Sequence, residues 1–258
     1  MLQRQPIPAF DDNYIWLLTE GAGTATAVDP GDAEPLLEVL RARGLTLTSL
    51  LVTHHHQDHT GGIEELCAAY PGLRVYGPAD RRIRTLTDQV REGDQVQPAG
   101  LATHFQVLEL PGHTSTHVGY LGAGLLLCGD TLFAAGCGRV FDGTHAQLAH
   151  SLARIAAMPD ETLCCGAHEY TLANLGFALW VEPDSEALAA RLVSERGRRA
   201  AGEPTLPSPL ALELATNPFL RTSVPGVIAA AETFAGRPLD SPTAVFTALR
   251  LWKDERYD

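Results

Sequence analysis

Short apolar runs alternate with helix-spaced leucines along the first two-thirds of the chain. Residues 14–19 (YIWLLT) and 24–28 (TATAV) read as strands divided by a Glu20-Gly21 turn. Asp29-Pro30-Gly31-Asp32 breaks the chain. Residues 33–43 then carry leucines at helical spacing, and Gly44 stands where a C-cap glycine belongs. Residues 49–53 (SLLVT) form an apolar run that fits a buried strand, and 62–70 read as a helix stopped by Pro71-Gly72. Further strands are expected at 105–110, 118–121, 125–128 and 162–165, and a helix at 145–158 closed by Pro159. This mixture predicts an α/β sandwich in which sheets are covered by helices.

Beyond about residue 172 the strand signal fades. Residues 175–180, 185–199, 225–233 and 243–253 have helical periodicity, interrupted by the proline-rich run TLPSP at 205–209. The pattern predicts two domains, 1–172 with mixed strands and helices and a smaller helical one at 173–258. No internal repeat or low-complexity tract is visible.

Composition adds two exclusions. With 19 Lys+Arg against 31 Asp+Glu, the formal charge is −12, and so acidic a chain is not expected to bind nucleic acid. No apolar run has the length needed to span a bilayer, and the amino terminus lacks the apolar region of a signal peptide. The five cysteines include no C-x-x-C pair, which fits a reducing, cytoplasmic setting. Adjacent Cys164 and Cys165 read as buried strand residues.

The chemistry gathers in Thr53–His59, THHHQDH. After a strand, His54 and His56 are two residues apart, so an extended backbone turns both imidazoles to one face. Asp58 and His59 follow where the chain bends toward a helix. His55 is expected to point away, as a packing or supporting residue. A solvated polar loop is the bland alternative, and it does not explain so many ligand-type side chains at one strand end. Three further polar residues follow strands, each with a glycine one or two positions earlier: His113 in PGHT, Asp130 in GDT and His168 in GAHE. Successive strand ends converge on one rim of a sheet. Ligand counting then allots His54, His56 and His113 to one divalent cation and Asp58, His59 and His168 to a second, with Asp130 as the bridge. Metals about 3.5–4 Å apart suit a bridging hydroxide. Ser115 is no convincing nucleophile, because G-x-S-x-G is absent.

THHHQDHTGG, GHTSTH, GDTLF and GAHEY, in that order, make the chain resemble the metallo-β-lactamase superfamily. DNY near the start, VDPG, GDTLFAAGCGRVFDGT, GAHEYTLANL, NPFLR and ALRLWKDE narrow the resemblance to the glyoxalase II family. The resemblance implies an αββα sandwich with a C-terminal helical domain. It also implies hydrolysis of S-D-lactoylglutathione and related 2-hydroxyacylglutathiones by hydroxide activated at two divalent metals, the second step of methylglyoxal detoxification. Zinc is the expected metal, with iron and manganese as alternatives. Asp58 and Asp130 take catalytic parts beside their ligand roles. For the glutathione portion it points to Arg139, Phe141, Tyr170, Arg250 and Lys253; some relatives have Lys and Tyr at the first two positions, and Phe141 offers no hydroxyl. A monomer without nucleic-acid or membrane partners is expected. The competing reading is a glutathione-persulfide dioxygenase with one iron; Asp58, His59 and His168, a complete second ligand set, oppose it.

Overall fold

The computed structural model describes residues 1–21 and 23–257. In chain order the first part runs β1 (Gln3–Ala9), β2 (Asn13–Thr19), β3 (Thr24–Val28), α1 (Glu34–Arg43), β4 (Thr46–Leu51), α2 (Gln57–Thr60), α3 (Ile63–Ala69) and β5 (Arg74–Pro78). It continues through β6 (Asp88–Val90), β7 (Gln95–Val96), β8 (Phe105–Glu109), β9 (Val118–Gly122) and β10 (Leu125–Gly129). Then come β11 (Leu132–Phe133), β12 (Gly136–Cys137), α4 (His145–Ala156), β13 (Leu163–Gly166), α5 (Thr171–Val181), α6 (Glu186–Ala200) and β14 (Ser208–Pro209). The chain closes with α7 (Leu210–Thr216), a 3-10 turn at Pro218–Leu220, α8 (Pro225–Ala235) and α9 (Pro242–Arg256).

Two compact bodies emerge. One comprises residues 1–109, 116–129 and 165–168, the other 110–115, 130–164 and 169–258. In the first body, β1 to β6 form one sheet in sequential order, antiparallel from β1 to β3 and parallel from β3 to β6. Its second sheet orders β10-β9-β8-β7, with the end of β13 beside β10. Every residue of β2 is buried, so both faces of this strand are covered. Ile15 and Leu17 pack with Leu36 and Leu40 of α1 and Ile63 and Leu66 of α3, giving the apolar core on one face. The Tyr120 hydroxyl of β9 donates to Val52 O at 2.8 Å, tying the second sheet to the end of β4.

Local signals explain the helices. In α1, Pro35 sits in the first turn, and Gly44 adopts φ 62° while its N–H reaches back to Leu40 and Arg41 carbonyls. Hydroxyl caps start α4, α6 and α9 of the second body. Thr144 accepts from Gln147 N, Ser185 from Leu188 N and Ser241 from Ala244 N. A cluster of Ala135, Leu175, Ala178 and Leu188 lies at its core.

Most predicted elements are present within a residue or two, but β1 has no counterpart among them. Its Pro6 and Pro8 argue against a strand in sequence. In the structure β1 is an edge strand paired only with β2, and residues two apart share one lateral side. Both prolines therefore occupy the row that needs no partner.

Candidate metal centre

In the first body, the ends of β3 and β4 set the hydrogen-bond pattern. Asp29 follows β3 with φ 52°, a left-handed conformation that Asp tolerates. Its Oδ1 accepts the Thr53 N–H at 2.7 Å and its Oδ2 the Thr53 hydroxyl at 2.7 Å. The Thr53 proton is thereby used, so its oxygen accepts from His54 Nδ1 at 3.0 Å. That tautomer leaves a lone pair on His54 Nε2, 3.1 Å from His56 Nδ1. The two imidazoles thus share a face, as residues two apart on an extended chain should.

The same logic orders the neighbouring histidines. His59 Nδ1 donates to Asp29 Oδ2 at 3.1 Å, and its Nε2 lies 3.3 Å from Asp58 Oδ2. His168 Nδ1 donates to Asp12 Oδ1 at 2.6 Å, and its Nε2 lies 3.5 Å from the same Asp58 oxygen. Asn13 fixes Asp58 through its amide, which donates to Oδ2 at 3.0 Å and to the main-chain oxygen at 3.3 Å. Carboxylate partners behind imidazoles hold the donor nitrogens outward and raise their basicity. The ligand-type atoms of Asp58, His59 and His168 all lie within 4.8 Å of one another. Two neutral imidazoles and a carboxylate form a donor set suited to a divalent first-row cation. His54, Asp29 and His59 are similarly gathered, with Asp29 already receiving Thr53. His55 turns instead toward Asp80, 3.6 Å from Nδ1 to Oδ2.

Close backbone approach makes this arrangement possible. A Cβ on Gly31 would sit 1.8 Å from the Asp58 carbonyl oxygen, so the Pro30-Gly31 turn lies directly against α2, which carries Asp58 and His59. Gly129, at φ 47°, is equally hemmed in by Thr53 and by His117, whose ring stacks on His54 at 4.9 Å.

The second body carries the remaining expected residues. His113 follows Gly112, which adopts φ 147°. His113 Nδ1 donates to Arg139 O at 2.8 Å, presenting Nε2 at 3.4 Å from Asp130 Oδ2. Phe141 N–H donates to His113 O at 3.0 Å, and the two rings meet edge-on at 5.2 Å. Phe141 is 65% exposed, and Tyr170, partly exposed, packs edge-on to Phe133 at 5.4 Å. Arg250 is buried; its Nη1 donates to Cys137 O at 3.1 Å and its Nη2 to Asp254 Oδ1 at 2.8 Å. Burial alone would lower its pKa, but Cys137 and Asp254 outweigh that and hold the guanidinium above its ordinary value. Burial pushes the Cys137 thiol up to about 11, against the opposing pull of Arg250. Lys253 is also buried, its ammonium 5.7 Å from the centre of the Tyr257 ring.

Sequence reasoning missed the supporting partners. Asp12 and Asn13 stand in the DNY run and Asp29 in VDPG, both recognised as patterns without a role assigned. Their signal is a carboxylate or amide immediately beside a strand.

Sheet edges that gather imidazoles and carboxylates in this way belong to the class defined by the Metallo-beta-lactamase superfamily, whose profile matches residues 9–168. The profile described as Hydroxyacylglutathione hydrolase C-terminus matches residues 169–256. A hydroxyacylglutathione hydrolase of Alkalilimnicola ehrlichii is 52% identical over 96% of this chain and 97% of its own length. One of Vibrio parahaemolyticus is 50% identical over 99% and 100%. Among solved structures, ETHE1 from Myxococcus xanthus is similar with a TM-score of 0.57 and 31% identity, over 66% of this chain and 76% of that one. The chain belongs to the hydroxyacylglutathione hydrolase family. The expected α/β class, a metallo-β-lactamase sandwich followed by a helical C-terminal domain, holds. Among the described residues no helix is long and apolar enough to cross a membrane.

Proposed function

We propose that this chain hydrolyses S-2-hydroxyacylglutathione thioesters, S-D-lactoylglutathione foremost, to a hydroxy acid and glutathione. The observation that carries the reading is the Asp58, His59 and His168 donor cluster in a chain half-identical to hydroxyacylglutathione hydrolases along nearly its whole length. In this reading His54, His56 and His113 hold one divalent cation, Asp58, His59 and His168 hold another, and Asp130 serves both. Zinc is the preferred metal, with iron or manganese as alternatives. When bound, such cations supply Lewis acidity and bring the pKa of a held water to about 7.

The chain's own residues do the rest. Asp12, Asp29 and the Arg139 carbonyl keep the protons of His168, His59 and His113 on Nδ1, so each Nε2 stays a lone-pair donor. Asp58, whose carboxylate accepts from the Asn13 amide, is assigned the orientation of a nucleophilic water as well as metal binding. Glutathione leaves as a thiolate whose conjugate acid has a pKa of about 8.5, so departure needs little help from a general acid. Arg139, Phe141, Tyr170, Arg250 and Lys253 are assigned to the glutathione portion. Its carboxylates require local cations on a chain of charge −12. A catalytic domain at 1–172, a substrate-binding domain at 173–258, a monomeric state, a cytoplasmic location and the lack of nucleic-acid or membrane partners complete the reading.

Thiol release from S-D-lactoylglutathione, measured on metal-replete protein beside oxygen uptake with glutathione persulfide, tests it. Rapid cleavage that His59→Ala or Asp130→Ala abolishes is expected. Oxygen uptake without cleavage would overturn it.

A further inference from the structure

The carboxylate of Asp254 lies among the cations assigned to glutathione. It belongs to the last turn of α9, four residues after Arg250. A single oxygen, Oδ1, accepts from Arg250 Nη2 at 2.8 Å and pairs with Arg139 Nε at 3.5 Å. The two arginines differ sharply in setting. The Arg250 side chain is 1% exposed and is braced by the Cys137 carbonyl, whereas the Arg139 side chain is 53% exposed. The Arg250 guanidinium also lies over the Phe219 ring at 5.3 Å. Arg250 is therefore a fixed point, and Asp254 connects it to the longer reach of the more exposed Arg139 side chain.

This arrangement is at odds with electrostatics alone. A carboxylate placed among cations that are to receive an anionic ligand lowers the local positive potential and repels the ligand's own carboxylates. Its presence makes sense if ordering Arg139 outweighs that repulsion. Preorganising a flexible cation saves the rotamer entropy otherwise lost when the ligand binds.

We infer that Asp254 is a positioning residue for glutathione recognition: it ties exposed Arg139 to buried Arg250, so that Arg139 presents its guanidinium in one orientation to a ligand carboxylate. The inference rests on the proposed thioester reading. It assigns Asp254 no contact with the reacting atoms. A second consequence is that Arg139 and Asp254 act as one unit, so their removals should not add.

The test is initial-rate kinetics with S-D-lactoylglutathione on the metal-loaded full chain, comparing wild type, Asp254→Asn, Asp254→Glu, Arg139→Met and the Arg139→Met/Asp254→Asn double variant. Asp254→Asn is expected to raise KM about fivefold while kcat stays within about twofold, and Asp254→Glu to recover most of the loss. In the Arg139→Met background the further change Asp254→Asn should shift KM by less than about twofold. An unchanged KM in Asp254→Asn, which leaves the carboxylate no net part in binding, or a lower one, which makes repulsion its main effect, overturns the inference. An equal rise in KM with and without Arg139 overturns it as well. Were the wild type to release no thiol, the thioester reading would fall by itself. The same set of variants, read by calorimetric titration with glutathione, would still decide on Asp254: affinity loss that depends on Arg139 supports it, and independent or absent loss refutes it.

Discussion

The Asp29 carboxylate receives His59 Nδ1 at 3.1 Å, across a separation of 30 residues, with the oxygen that also accepts the Thr53 hydroxyl. One buried side chain therefore fixes the tautomers of two imidazoles, His59 directly and His54 through Thr53. Asp29→Asn has one accepting oxygen and one donating NH2. It cannot receive the Thr53 N–H on one side and the Thr53 hydroxyl and His59 Nδ1–H on the other, so one side meets a donor facing a donor. We expect Asp29→Asn to lower metal affinity about 10- to 100-fold, read by competition with a chromophoric chelator. Unchanged affinity would remove Asp29 from the metal centre.

Asp12 is the corresponding partner of His168, at 2.6 Å, but it stands on a partly exposed hairpin rather than in the core. Its loss should affect function more than folding. Asp12→Ala is expected to reduce kcat/KM about 10- to 100-fold, with little movement of the unfolding midpoint in urea. A large stability loss with normal turnover would contradict this assignment.

Gly31 and Gly197 give a paired test of close approach. An added Cβ at Gly31 would fall 1.8 Å from Asp58 O, whereas at Gly197, inside α6, it meets nothing within 4 Å. Gly31→Ala must displace the backbone of Asp58, so a loss of about 2–4 kcal/mol is expected, together with reduced metal content after dialysis if Asp58 is the ligand proposed. Gly197→Ala should instead stabilise by about 0.5–1 kcal/mol, the helical advantage of alanine. Equilibrium unfolding in urea measures both.

The contrast between what is and is not legible in sequence follows from the range of each interaction. His54, His56, Asp58 and His59 lie within one strand end and one helical turn, so local periodicity places them. Gly-preceded His113, Asp130 and His168 repeat a local pattern and can be found in the same way. Asp29 and Asp12 act on partners 24 to 156 residues distant, and no periodicity encodes such a pairing. The parallel ladder from β3 to β6 is hidden for a related reason. Its last strands, Arg74–Pro78 and Asp88–Val90, are short and owe their conformation to neighbouring strands more than to their own apolar pattern. Helical spacing relates Arg250 to Lys253 but says nothing of their burial. That of Arg250 depends on Cys137 and Phe219, distant in sequence.

Asp80 provides a prediction about pH. Arg82 contributes a bidentate pair, with Nε to Oδ1 at 2.8 Å and Nη2 to Oδ2 at 2.6 Å; the Thr116 hydroxyl adds a bond at 2.7 Å. The Arg82 guanidinium is the main reason that the Asp80 carboxyl titrates well below the usual range, with burial opposing it and the Arg82 N–H and Thr116 hydroxyl reinforcing it. A depressed folded-state pKa means that the unfolded chain takes up the proton first as acid is added. The stabilisation is therefore complete above the ordinary carboxylate value of about 3.9 and fades as pH falls below it toward the folded-state value. Asp80→Asn should be less stable than wild type by about 1–3 kcal/mol at pH 7, and the gap in urea unfolding free energy should narrow at pH 3. A gap that stays constant, or widens, in acid would mean that the ionised carboxylate is not what Arg82 and Thr116 hold in place.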